Sequence, residues 1–408
     1  MTDPGPAPAV VRRSPNEATR VLVLDGAQRS ALAATRSLGL ANYDVCVAEE
    51  LPRSLAGASR FCRSELCYPS PSREPTAFLD WFERRCELED FAAALPMTEV
   101  TTDLLARHRP RWPNVVLPVA PIETIDALTD KVSLYRRAMR LGVAVPESVV
   151  VSDPHDLASA VQQIGFPAIL KPRRSRLWTG AGFRSTSVRR AQDSDDLDRL
   201  IALPEFRDEP FLYQRQVPGE GRGVFALYRH GEPVAFFAHR RIREKPPEGG
   251  VSVLSESCAV DPCLLAHSRA LLDEASWHGV AMVEYKFSPD EGPFLMEVNA
   301  RFWGSLQLAI DAGIDFPRLL LDSELSGKRE VPGDYRKGCR LRWFLGDVDR
   351  LYLVLKRGGG PGGESWLREI VNFARPDLSR TRHEVFRWSD PRPGLTELRH
   401  YLARLGRG

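Results

Sequence analysis

Two strand-like runs, residues 282–287 and 294–298, are joined by Ser288-Pro-Asp-Glu-Gly-Pro293, and this pattern narrows the possible folds more than any other. Pro, Asp and Gly supply the backbone angles of a chain reversal, so the two runs read as a β-hairpin. The second run continues as Met296-Glu-Val-Asn-Ala-Arg301. Successive side chains in a strand alternate faces, which puts Glu297, Asn299 and Arg301 on one face and Met296, Val298 and Ala300 on the other. Glu284, on the first run, reaches the polar face across the hairpin. Two carboxylates, an amide and a guanidinium on one surface are costly to desolvate unless a charged group sits among them. Hard oxygen donors of this kind suit Mg2+, commonly held by one or two carboxylates plus substrate phosphates. The hairpin is therefore a candidate magnesium–nucleotide site, and a solvated polar strand face is the alternative that it leaves open.

The 408 residues have room for two or three domains. A hydrophobic share of 43% and a charged share of 27% describe a soluble globular protein, and a formal charge of +2 gives no general attraction to nucleic acid or membranes. No window approaches the ~20 apolar residues of a membrane-spanning helix, and no signal-peptide pattern opens the chain. Seven Cys without a C-x-x-C spacing read as reduced thiols in a cytoplasmic protein.

Residues 1–19 are Pro-rich and read as a disordered leader. Val21-Leu-Val-Leu24, an Ala-rich helix to about residue 40 and Asp44-Val-Cys-Val-Ala48 form a βαβ unit, whose Asp25-Gly26-Ala27 turn is not a dinucleotide fingerprint. Alternating helices and strands continue through residues 74–88, 93–97, 99–107 and 114–117. A single helix is expected over 124–141, where Ile125, Leu128, Val132 and Met139 recur at helical spacing. Phe166-Pro-Ala-Ile-Leu-Lys-Pro172 reads as a strand, residues 173–183 as a Gly-containing hairpin able to fold over phosphates, and residues 210–217 as another strand. His239-Arg-Arg-Ile-Arg243 opens what reads as a long basic loop ending at Gly250.

Five segments, in order, resemble the ATP-grasp superfamily: Asp130-Lys131, Phe166-Pro-Ala-Ile-Leu-Lys-Pro172, Tyr213-Gln-Arg-Gln-Val-Pro-Gly-Glu220, Val283-Glu-Tyr285 and Met296-Glu-Val-Asn-Ala-Arg-Phe-Trp-Gly304. The likeness spans about residues 20–330 and points to the carboxylate–amine ligase-like branch, which is similar to biotin carboxylase and carbamoyl-phosphate synthase. It implies an α/β and α+β chain. An open parallel α/β domain (20–121) is followed by a two-lobed ATP-grasp domain (122–329) with mixed and antiparallel sheets, its small lobe about 145–212 and its hinge 213–220. Residues 330–408 are a C-terminal extension.

The resemblance also implies roles. Lys131 and Lys171 contact ATP phosphates; Lys is only seven of the 56 basic residues, and a compact ammonium suits that contact. Gln214, Arg215 and Val217 bind adenine, and Glu220 the ribose. Glu284, Glu297 and Asn299 hold Mg2+, for which Mn2+ is a substitute. Arg301 faces the reacting centre, with Lys171 and Asn299 completing the catalytic set. Arg241, Arg243, Gly250 and Gly304 lie toward the acceptor, and His239 and Arg240 share the basic segment with them.

The expected activity is an ADP-forming ligase that turns a small-molecule carboxylate into an acylphosphate and joins it to an amine or other nitrogen nucleophile. An ATP-grasp kinase, a carboxylase-type enzyme using bicarbonate and a non-catalytic ATP-binding module are the alternatives. The basic residues after 330 are interspersed with acids, without aromatic interleaving, which argues against nucleic acid. That segment either caps the acceptor site or builds a homodimer interface.

Overall fold

Val21-Leu-Val-Leu24 is apolar on both faces because it lies in the middle of a parallel sheet covered by helices. In the computed structural model the strand Arg20–Val23 pairs in parallel with Asp44–Glu49 on one side and Ala93–Leu95 on the other. Ser64–Cys67, which carries no strand pattern in sequence, extends the sheet beyond Asp44–Glu49. The run at 114–117 contributes a single bridge, Val116 to Ala93, rather than the expected strand. The structure describes residues 18–406 apart from 248, 289, 329, 361–364 and 375–380. The leader expected over 1–19 (but for its last two residues), Pro289 of the hairpin spacer and the Gly run at 361–363 lie outside the described residues.

The helix expected over 124–141 is two helices, Ile122–Thr129 and Lys131–Arg140. The Asp130 carboxylate accepts the Ser133 backbone N–H at 2.9 Å and caps the second helix. The break makes Lys131 the first helical residue, its N–H donating to the Arg173 carbonyl at 2.9 Å. Asp130 also holds Arg173 in an ion pair.

A four-stranded antiparallel sheet follows, in the order Ser148–Val151, Phe211–Arg215, Ala168–Pro172, Arg189–Ala191. Strands Arg176–Trp178 and Phe183–Ser185 form the expected hairpin. It is docked on the first domain, since the Phe183 N–H donates to the Ser72 carbonyl at 2.8 Å.

The largest sheet has seven strands, ordered Gly292–Asn299, Gly279–Ser288, Glu220–Arg229, Glu232–Lys245, Val251–Cys258, Arg340–Arg342, Thr381–His383. All neighbours are antiparallel except the last pair. The basic segment 239–243 is therefore strand, not loop; its charges are matched by neighbours, so it has no need of solvent. Residues after 330 are part of the same sheet. One face packs on helix Arg29–Leu40 through Phe225, Phe237, Trp303 and Phe316, and the other on helix Pro262–Glu274. Trp303 is fully buried, with Phe225 at 4.3 Å and Phe316 at 5.0 Å between ring centroids.

The C-terminal segment is tied back to the first domain through buried Arg36. Its guanidinium donates to the Asp390 carboxylate (2.9 Å) and to the carbonyls of Glu384 (2.9 Å) and Val385 (2.7 Å). Asp390 also accepts from the Ser59 hydroxyl at 2.7 Å and the Arg60 N–H at 3.0 Å. Among the described residues no helix is long and apolar enough to cross a membrane.

Candidate active site

Pairing register brings the polar face of the hairpin together. Glu284 stands directly opposite Glu297, and Met282 opposite Asn299. Like charges placed opposite each other destabilise a strand pair unless countered, and each carboxylate has its own counter-charge. Arg241 is ion-paired with Glu284, and Lys131 Nζ lies 3.5 Å from Glu297 Oε2. Asn299 Nδ2 donates to both, to Glu284 at 3.1 Å and Glu297 at 3.2 Å. Arg301 donates to Asn299 Oδ1 at 3.2 Å.

The two carboxyls respond differently. Desolvation alone raises both; at Glu297 the charges of Lys131, Lys171 and Arg301 and the Asn299 amide outweigh it and hold the group below the usual carboxylate range. At Glu284 desolvation prevails over Arg241 and the group is pushed up. Lys171, buried at the exit of its strand, donates to Met296 Sδ at 3.6 Å. Burial lowers its ammonium to about 8, with Glu297 opposing the shift.

Glu284, Glu297 and Asn299 fit a hard divalent cation such as Mg2+. The donor set is two carboxylates and an amide on one face, and the positive end of the Asn299 amide lies between the carboxylates, where a cation's charge belongs. Turning that amide over brings its oxygen to the same place, giving up its hydrogen bonds to the two carboxylates, which the cation would replace, and its contact with Arg301.

The hinge strand Phe211–Arg215 crosses the small sheet, and buried Gln214 donates to the Ser148 hydroxyl at 2.8 Å. Arg215 pairs with Glu291 at 2.6 Å. The Val217 carbonyl accepts from Lys286 Nζ at 3.4 Å. Glu220 opens the next strand opposite Phe287, its carboxylate held by Arg222 at 2.6 Å.

Five expected residues stand apart from this centre. Arg243 forms a 2.7 Å ion pair with fully buried Asp347 and faces the C-terminal helices. Gly250 meets the site only through its carbonyl, which accepts from Arg241 at 3.2 Å. Gly304 packs where an added Cβ would lie 2.9 Å from Arg29 Nη2, so it serves the contact with helix Arg29–Leu40. Arg240 is occupied by Glu256 at 2.7 Å. His239 is in the core against Phe225, where burial lowers its pKa to about 3.

Lys286, Glu99 and Arg176 belong with the site, although the sequence reading did not select them. Lys286 follows Glu284 at strand period and is one of few Lys, a signal that could have found it. Glu99 and Arg176 carry no such signal, because tertiary docking alone brings the first domain and the hairpin over Arg301. A cavity of about 540 Å3 lies there, touching Lys131, Glu297, Asn299 and Arg301.

A parallel domain, a small antiparallel sheet with a docked hairpin and a large mixed sheet whose edge hairpin carries a cross-strand carboxylate pair define an α/β fold built around two further sheets. The chain is similar to the ATP-grasp superfamily, in sequence over about a third of its length and in fold over most of it. Within it, the family described as "ATP-grasp in the biosynthetic pathway with Ter operon" matches residues 207–346. The C-terminal section of the carbamoyl phosphate synthase large chain of Methanopyrus kandleri is 22% identical over 222 residues, 52% of this chain and 39% of that protein. The match thus spans well under half of that curated relative. Among solved structures, the ADP complex of an N5-carboxyaminoimidazole ribonucleotide synthetase superposes with a TM-score of 0.63 at 12% identity, over 87% of this chain and 96% of that one. An L-amino acid ligase from Bacillus licheniformis gives 0.59 at 16% identity, over 78% and 75%.

Proposed function

We propose that the chain is an ATP- and Mg2+-dependent ligase that activates a carboxylate as an acylphosphate and joins it to an amine or other nitrogen nucleophile, releasing ADP and phosphate. The observation that carries the reading is the cross-strand pair Glu284 and Glu297 with Asn299, faced by Lys131, Lys171 and Arg301. Carboxylate and triphosphate are both anionic, and three side-chain cations at one centre lower the repulsion between them. Bound Mg2+ supplies further charge neutralisation at the phosphates.

The carboxylate oxygen attacks the γ-phosphorus, the bond from that phosphorus to the β,γ-bridging oxygen breaks, and ADP leaves with the electron pair. Lys131 and Lys171 hold the phosphoryl oxygens through this transfer, which needs positioning and charge stabilisation rather than a protein nucleophile. The amine then attacks the acyl carbon, the carbon–oxygen bond to phosphate breaks, and the departing phosphate takes the amine's proton. Arg301 sits beside the centre to stabilise the tetrahedral oxyanion. The hairpin 176–185, docked on the first domain, excludes water from the hydrolysable intermediate. All seven cysteines are free, which suits the reducing cytoplasm.

ADP release measured with a panel of carboxylates, with and without amines, tests the assignment. Amide formation stoichiometric with ADP is expected; ADP and a stable phosphorylated product without any amine requirement would make the chain a kinase instead.

A further inference from the structure

The cavity beyond the carboxylate pair shares Lys131, Glu297, Asn299 and Arg301 with the phosphate site, and no hinge residue lines it. It therefore extends away from the nucleotide, toward where a carboxylate must enter. The rest of its wall is helix Glu99–Arg107, part of helix Ile122–Thr129 and the hairpin over them, with Val100, Leu104 and Leu177 as apolar surface and Arg173, Arg174 and Arg176 as further cations.

Glu99 is the acidic group that this wall contributes next to Arg301. Its position is fixed from below. Thr98 and Thr101 form a reciprocal cap at the helix start, and buried Asp25 accepts from the Thr98 N–H at 2.9 Å and the Thr101 hydroxyl at 2.6 Å. Among the described residues the Glu99 carboxylate has neither a hydrogen bond nor an ion pair. Desolvation raises its pKa, and the charges that oppose the shift are Arg301, Lys131 and Arg176. A carboxylate held beside apolar surface without a hydrogen-bond donor is costly and is satisfied by a cationic ligand group. The chamber thus has cations at its phosphate end and along the hairpin, the unpartnered Glu99 carboxylate next to Arg301, and apolar surface between them.

We propose that this chamber takes an α-amino acid with an apolar side chain, its carboxylate toward Arg301 and the phosphates and its ammonium on Glu99. The inference rests on the ligase reading and names its carboxylate substrate. A zwitterion matches both charges at once; a simple carboxylic acid leaves Glu99 unsatisfied, and a diacid meets repulsion there. No bond of the ammonium changes, and the activated group is the amino acid's own carboxylate.

Calorimetric binding to the enzyme loaded with Mg2+ and a non-hydrolysable ATP analogue tests the assignment. The probes are L-leucine and L-phenylalanine against 4-methylpentanoate and 3-phenylpropanoate, the same bodies without the amino group. The amino acids are expected to bind about tenfold or more tightly. Glu99→Gln, nearly isosteric and at a half-exposed helix start, should erase that preference while keeping the affinity for the ATP analogue within about twofold. Equal or tighter binding of the desamino acids, no binding of either amino acid, or an unchanged preference in Glu99→Gln overturns the proposal. Trapping with hydroxylamine, which converts an acylphosphate to a hydroxamate, separates the two claims. Hydroxamates from desamino acids only would sink the chamber assignment and leave the ligase. Preferential amino-acid binding without any hydroxamate would keep the chamber assignment and sink the ligase.

Discussion

At the scale of single residues the site is a balance of charges that titrate against one another. Glu297 is held ionised by the cations around it, so neutralising it removes both the proposed cation ligand and the partner of Lys131. Glu297→Gln should lower ADP formation by at least about 10²-fold, the magnitude of losing one preorganised electrostatic group, while the thermal unfolding midpoint stays within a few degrees. Activity within a few-fold of wild type would take the carboxylate pair out of the reaction. Lys171 offers a second test. Burial brings its ammonium to about 8, and an approaching phosphate stabilises the charged form and raises that value again. Above pH 8 the free enzyme carries mostly neutral Lys171, so nucleotide binding must take up a proton and weaken as pH rises. At pH 8.5, calorimetric enthalpies of ATP-analogue binding should depend on the buffer's ionisation enthalpy in wild type and lose that dependence in Lys171→Met.

At the scale of elements, the docked hairpin and the Trp303 anchor carry separable burdens. A Cβ at Gly182 would collide with the backbone carbonyl of Ser72, which cannot rotate away as a side chain could. Gly182→Ala should lift the hairpin off the first domain and lower amide formation by up to about 10²-fold. It should also raise the ratio of ADP to amide, as water reaches the intermediate. Trp303→Ala empties a fully buried site between Phe225 and Phe316 and should cost about 3–5 kcal/mol in urea unfolding. These elements were unequally legible in the sequence. The hairpin at 279–299 could be read because alternation and turn residues agree there. The break at Asp130 could not, since Ile125, Leu128 and Val132 keep helical spacing straight through it and one cap hydrogen bond decides the matter. The second half of strand Glu232–Lys245, from His239 on, looked like a loop because its charges find partners on neighbouring strands, Arg240 with Glu256 and Arg241 with Glu284. Glu99 was invisible for a third reason: only the docking of one domain on another gives it a function.

At the scale of the whole molecule, the first domain and the C-terminal segment close on each other through Arg36. Removing one member of a buried ionic network leaves the others uncompensated, at a cost of about 3–5 kcal/mol. Arg36→Ala should destabilise the chain by that amount, and limited proteolysis should then cut first near residues 384–390. A wild-type cleavage pattern would show that the tie bears little of the stability.

The two short strands contributed from beyond residue 330 set the order in which the molecule can be finished. Val251–Cys258 has its outer neighbour, Arg340–Arg342, more than eighty residues further along the chain. Until that segment leaves the ribosome, the strand presents unpaired N–H and C=O groups, a template for other chains. A premature stop near residue 330 would therefore yield a polypeptide holding every proposed nucleotide ligand and yet an adhesive edge. Its defect should appear as insolubility at the moment of synthesis, and adding the missing segment in trans should reduce the pelleted fraction.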